Sequence, residues 1–122
     1  MAGGVRINLA EKLALFTDYW SPRTIETVDD YEVKLVKLQG DFVWHRHAAA
    51  DELFLVLDGR LRMDFRDRQT ELGEGEMIVV PAGVEHKPYA AAECRILLLE
   101  RRGTVNTGDA PPGDRTRVAE SL

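Results

Sequence analysis

Cysteine is almost missing from this chain: Cys94 stands alone among 122 residues, which excludes an internal disulfide framework and suits a reducing compartment. Long apolar runs are missing too. No stretch approaches the roughly 18 residues that a membrane-spanning helix needs. Met1 to Leu15 carries mixed charge and no apolar run ending in a small-residue cleavage site, so no signal peptide is expected and the chain is assigned to the cytoplasm. Charge of one sign is not in large excess. The 21 acidic and 16 basic residues are interspersed and leave −5, which gives no field to recruit nucleic acid or an anionic membrane surface. A glycine-rich phosphate cradle is absent. Histidine is scarce as well: His45, His47 and His86 are the whole supply.

What is present fits one domain with its own core. Residues 8–17 are expected to form a short helix. Asn8 can cap it, Glu11 follows three residues later, and Leu9, Leu13 and Phe16 share a face that reads as a packing lid. From Tyr31 the pattern changes to short β-rich runs at 31–38, 42–47, 52–58, 60–66, 76–80 and 94–100. Gly40, Asp58-Gly59, Gly73 to Gly75 and Pro81-Ala82-Gly83 punctuate them. Many short strands at this spacing predict a barrel or sandwich. Asp58-Gly59 predicts a tight hairpin with the flanking strands as antiparallel neighbours. The divisions expected are an N-terminal helix and arm (1–30), a β-barrel (31–102) and a C-terminal arm or disordered tail (103–122), rich in Thr, Asn, Gly, Asp and Pro.

The chemistry is concentrated in a few positions. In a strand, residues i and i+2 leave the same face, so His45 and His47 point together and Arg46 points away. Glu52 opens the next strand and can return a carboxylate toward both imidazoles. His86, just past the Pro81-Ala82-Gly83 turn, is the remaining imidazole. With every histidine so engaged, no Ser-His-Asp or Cys-His nucleophile set is left. Three imidazoles and a carboxylate without a thiolate suit Mn, Fe, Co, Ni, Cu or Zn better than Ca or Mg. On an octahedral ion they leave two positions for water, dioxygen or a chelating substrate.

These residues resemble the two motifs of the cupin superfamily. The first reads Gly40, four residues, His45-Arg46-His47, four residues, Glu52, six residues, Gly59. The second reads Gly75, five residues, Pro81-Ala82-Gly83, two residues, His86. Gly40 stands one residue closer to the first histidine than in the usual pattern, and Ala90 replaces a common asparagine. The resemblance implies an all-β fold, a double-stranded β-helix or jelly-roll barrel, holding one divalent transition metal (Mn, Fe, Ni, Cu or Zn). It also implies a homodimer formed through an outer sheet face.

Parity along the strands predicts the pocket. Val43 faces inward with the histidines, leaving Phe42, Trp44 and Arg46 outside, where the two aromatics need cover from a partner or from the N-terminal helix. Phe54 and Val56 follow Glu52 inward. Met63 alternates with Arg62 and Asp64, and Cys94 begins a strand whose Ile96 and Leu98 face the same way, with Cys94 read as a small buried core residue. A mostly apolar cavity results, suited to a small oxygenated organic substrate or ligand. Tyr31 and Tyr89 are the phenols that can reach such a ligand, and the Arg60-Leu61-Arg62 and Arg66-Asp67-Arg68 charges read as a solvated face. Three functions are open: dioxygenase-type oxidation of a small oxygenated molecule, which ranks first; sugar or sugar-phosphate isomerisation; and a non-catalytic metal or small-ligand sensor. Isomerisation ranks lower because it wants a general base and cationic groups inside the barrel.

Overall fold

A strand with one apolar face must bury it, and this chain does so by wrapping its strands into a jelly-roll β-barrel whose inner faces meet. The computed structural model describes residues 3–122. Among these residues there are one helix, α1 (Leu9–Leu13), and eight strands: β1 (Arg23–Val28), β2 (Tyr31–Asp41), β3 (Glu52–Asp58), β4 (Leu61–Phe65), β5 (Gln69–Leu72), β6 (Met77–Val80), β7 (His86–Arg101) and β8 (Glu120–Ser121). The neighbours run β5-β4-β7-β2-β1-β8, and β3 pairs with both β6 and β7. Among the described residues no helix is long and apolar enough to cross a membrane.

Strand β7 is the spine. Its one edge pairs antiparallel with β2 from Tyr31↔Arg101 to Asp41↔Tyr89, and its other edge takes β3 and then β4. The interior is packed by Val36, Leu38, Phe54, Val56, Leu61, Met63, Cys94, Ile96 and Leu98. A second cluster lies on the outside of the barrel wall, where Leu13 and Phe16 cover Leu35, Ile25, Leu57 and Leu97. The amphipathic face of the N-terminal segment is therefore the lid its spacing predicts. Asn8 caps α1 by accepting from the Glu11 N–H at 3.0 Å.

Several sequence expectations are corrected here. The helix ends at Leu13, not at residue 17. Segment 1–30 holds more than a helix and arm, because the β-branched run in Arg23–Val28 forms β1, which pairs with β2 across the Asp29-Asp30 turn. Residues 42–47 are not a regular strand. The β2 ladder shifts register between Leu38 and Gly40, and beyond Asp41 only His45 makes a bridge, to His86. Residues 69–72 form an unanticipated strand, and the last long strand starts at His86 instead of residue 94. The tail is folded back: Val105 bridges Val118, and β8 pairs parallel with β1. Its polar side chains make the attachments that its composition hides, such as Asn106 donating to the Trp20 and Arg115 carbonyls.

The Asp58-Gly59 pair is not a hairpin. Strands β3 and β4 do not pair with each other; they follow one another along the same edge of β7. Gly59 is needed for a different reason. Its φ is +88°, and a Cβ there would sit 2.8 Å from the Glu93 carbonyl oxygen and 3.1 Å from the Cys94 Cα. It lets the kinked strand press against the spine. Gly59→Ala is expected to lower stability by about 1–3 kcal/mol, read as a lower denaturant midpoint with an unchanged slope.

Candidate metal centre

Two backbone hydrogen bonds place the first pair of imidazoles. The His45 N–H donates to the His86 carbonyl at 3.1 Å and the His86 N–H donates to the His45 carbonyl at 2.9 Å. Residues that exchange both bonds across an antiparallel bridge project their side chains to the same side, and the two rings lie with centroids 4.3 Å apart. The Gly83 N–H donates to the His47 carbonyl, which holds the third imidazole beside them. Glu52 enters from the first residue of β3, paired with Val80.

The ring orientations are fixed from behind. His45 Nδ1 lies 2.9 Å from the Val43 carbonyl, and His86 Nδ1 lies 2.9 Å from the Val84 carbonyl. A carbonyl only accepts, so each Nδ1 carries the proton and each Nε2 presents a lone pair to the centre. Glu52 Oε1 stands 3.1 Å from His86 Nε2, and Oε2 stands 3.4 Å from His47 Nε2. Among the described residues, buried His47 Nε2 has no hydrogen-bond partner. Ligand atoms of His45, His47, Glu52 and His86 all lie within 4.8 Å of one another. Donors at about 2.0–2.2 Å from a shared ion lie at most about 4.4 Å apart, so a small contraction closes the set.

Burial makes this cluster short of positive charge. It pushes the His45 pKa down to about 3, with the neighbouring His86 adding to the effect, and lowers His47 and His86 in the same way. Burial also raises Glu52, offset by Glu100 and Lys34. Neutral imidazole lone pairs facing a carboxylate need a proton or a metal ion between them. The residues therefore fit a divalent cation, by the chemistry of the donor set and by the orphaned His47 nitrogen.

The cluster separates two spaces. The inner one is a cavity of about 30 Å³ walled by Trp20, Leu38, Phe42, Phe54, Ile96 and Leu98, with His45 and Glu52 on its rim. The outer one, at the barrel mouth, is about 410 Å³. His47, Glu52 and Glu100 line it together with Ala48–Ala50 and the 101–105 segment. Of the expected pocket residues, Phe54 and Ile96 line the inner cavity. Val56, Met63 and Cys94 lie in the packed core, each without exposed surface. Val43 is half-buried against that core, and its carbonyl orients His45. Both spaces present mostly apolar surface, and the larger one adds charged side chains such as Arg46, Asp51 and Arg101. Phe42 is buried and not outward, because 42–47 does not keep strand parity; it stacks on Trp20 at 4.5 Å and meets His45 edge-on. Trp44 is covered by Arg66, 3.9 Å above its ring. Tyr31 and Tyr89 line neither space. The Cys94 thiol is pushed up to about 12 by burial and by Asp58, which marks it as unreactive.

Sequence reasoning missed Trp20, Asn106, Lys34 and Glu100. Nothing local distinguishes the first two. Parity does reach the others: continuing Cys94, Ile96, Leu98 by one step puts Glu100 inside, and stepping back from Leu38 and Val36 puts Lys34 inside. Both are buried, and Lys34 Nζ donates to Glu100 Oε1 at 2.8 Å.

The cupin-domain family model matches residues 31–100, and the chain belongs to the cupin family. A cupin-2 domain protein of Shewanella frigidimarina, of solved structure, is 52% identical with a TM-score of 0.78, covering 79% of this chain and 94% of that one. An uncharacterized Bacillus subtilis protein, YdbB, is 38% identical over 80 residues, 65% of this chain and 71% of its own length. Acireductone dioxygenase of Rhodopseudomonas palustris is 42% identical over 57 residues, which span 43% of this chain and 34% of that enzyme.

The depressed imidazole fixes the sign of a pH effect. Between about 3 and the ordinary 6.5, His45 binds a proton in the unfolded chain and not in the folded one, so it withdraws stability as pH falls through that window. Glu52 and Glu100, raised by burial, act in the opposite sense. The expected outcome in metal-stripped protein is that His45→Gln gains stability relative to wild type as pH drops from 7 to 4.5, by up to about 1.4 kcal/mol per pH unit, measured by denaturant midpoints.

Proposed function

We propose that this cupin is a metal-dependent oxidoreductase that carries out dioxygenase-type oxidation of a small oxygenated organic molecule, with His45, His47, Glu52 and His86 as the metal ligands. The observation that carries the reading is the Glu52 carboxylate set 3.1 and 3.4 Å from two imidazole nitrogens inside the barrel. The ion would be Mn, Fe, Ni, Cu or Zn, since imidazole and carboxylate donors suit all of these. When bound, a redox-active ion in such a site supplies electron transfer with dioxygen and polarises substrate oxygens.

The chain's own residues do the rest. Val43 and Val84 hold the imidazoles in the ligating tautomer. Phe42, Phe54, Ile96 and Leu98 keep bulk water from the inner side of the cluster. The mouth chamber, about 410 Å³, is in the range that takes a small molecule, and it opens directly on His47 and Glu52. Its mostly apolar surface, edged by charged side chains such as Arg46 and Asp51, favours a small oxygenated organic molecule over a densely charged one. Similarity to acireductone dioxygenase over 57 residues supports oxidation over isomerisation.

Metal content by mass spectrometry on untagged protein, followed by oxygen uptake with catechol, diketone and flavonol panels, tests the proposal. Near-stoichiometric Mn, Fe, Ni or Cu in the wild type is expected, with most of it lost in His47→Ala along with oxygen uptake. Tight ligand binding without turnover moves the reading to a sensor. Absence of metal in both proteins, before and after reconstitution, overturns it.

A further inference from the structure

The inner cavity is too small for an organic substrate and too apolar for water. At about 30 Å³ it has room for roughly two water-sized spheres of about 10–15 Å³ each. An apolar cavity that takes up benzene is about 150 Å³, and pockets for organic ligands run to about 300 Å³ or more. Every residue around the inner cavity except Asn106 is buried, so a larger guest has no open side to occupy. The guest must be an atom or a very small molecule.

The polar groups at its wall are already engaged. Trp20 Nε1 donates to the Gln39 carbonyl at 2.9 Å. Asn106 donates through Nδ2 to the Trp20 and Arg115 carbonyls, and its Oδ1 accepts from the Arg117 N–H. Among the side chains of the lining, that leaves His45 and Glu52, which belong to the candidate metal centre. A buried water needs about 2–4 polar partners, and apolar cavities that lack them stay dry and take up apolar guests such as xenon.

We propose that the inner cavity is a binding site for dioxygen, held on the His45 and Glu52 side of the centre while the organic substrate occupies the mouth chamber. This rests on the oxidation reading above. An uncharged, apolar diatomic gives up little on leaving water and gains dispersion contacts from close apolar walls. The two reactants then meet the cluster from different spaces and do not compete for one volume. The folded-back tail gains a use as well. Asn106 holds the Trp20 carbonyl, and the Trp20 ring stacks on Phe42 at 4.5 Å, so three residues that wall the cavity are joined.

Val36 on β2 and Ile96 on β7 stand directly opposite each other in the ladder and both line the cavity, which supplies the test. Methyl NMR on the full chain with zinc, which is diamagnetic and inert to dioxygen, reads the paramagnetic relaxation that dioxygen adds over nitrogen. The methyls of Val36, Leu38, Ile96 and Leu98 are expected to relax several-fold faster than those of Leu61 and Met63, which are as deeply buried but do not line the cavity. Val36→Ile adds one methylene and is expected to abolish the enhancement, and Ile96→Val removes one and is expected to increase it. The double variant Val36→Ile/Ile96→Val conserves volume and is expected to restore it. In turnover, Val36→Ile is expected to raise KM for dioxygen about tenfold, the effect of one methylene in an apolar pocket, with metal content and KM for the organic substrate unchanged. Enhancement spread evenly over Leu61 and Met63, indifference to the variants, or an unchanged KM for dioxygen overturns the proposal. Absence of oxygen uptake by the wild type with selective enhancement intact overturns the oxidation reading and leaves the gas site standing.

Discussion

The structure depends on how far one strand can be bent. His86 opens β7 and Glu100 lies fourteen residues on, about 46 Å away if the strand were straight. Yet His86 Nε2 meets Glu52 Oε1, and Glu100 lines the same mouth chamber as Glu52. The strand must therefore curl around the barrel while it passes from β4 to β3 on one edge and keeps β2 on the other, and the irregularities are where it does so. The β2 ladder shifts between Leu38 and Gly40, the β3 ladder shifts between Val56 and Asp58, and Gly59 lets the opposing chain close on Glu93 and Cys94. Curvature of this kind is what turns alternation along a strand into a closed interior.

The same curl decides which candidate ligands are rigid. His45 and His86 share a pair of backbone hydrogen bonds, so their separation is set by the ladder and not by side-chain packing. His47 is tied at its carbonyl by Gly83. Glu52 alone reaches the centre on a flexible stem, and buried Glu100 lies at the opposite end of β7 from His86. One strand thus supplies a candidate ligand at its start, core residues through its middle and, near its end, a carboxyl on the chamber that His47 and Glu52 also line.

How much of this was legible in the sequence follows from which interactions are local. The strand runs 52–58 and 60–66 and the clustering of His45, His47, Glu52 and His86 could be read because period-two alternation and motif spacing are properties of short segments. Phe42 could not, since its inward turn follows from loss of the ladder after Asp41, and parity holds only while a ladder does. The Asp58-Gly59 signal was real but its use was misread: a glycine demanded by close backbone approach has the same sequence signature as one demanded by a hairpin. Trp20, Asn106 and the folded-back tail depend on contacts between the two ends of the chain, which no local pattern reports. Lys34 and Glu100 were within reach of parity and were hidden by the habit of placing charge outside.

The tail carries a further consequence. The Asp109 carboxylate accepts from the Arg46 backbone N–H at 2.8 Å, the Asp109 N–H donates to the Arg46 carbonyl, and Gly108 packs so closely there that a side chain would collide with that carbonyl oxygen. Arg46 sits between His45 and His47, and β8 ties the last residues to β1. The carboxyl end is therefore mechanically in series with two of the candidate ligands. A proteolytic nick or a fusion partner there pulls on the centre itself, whereas Gly3 to Arg6 are exposed and offer the end at which an added sequence is carried without load.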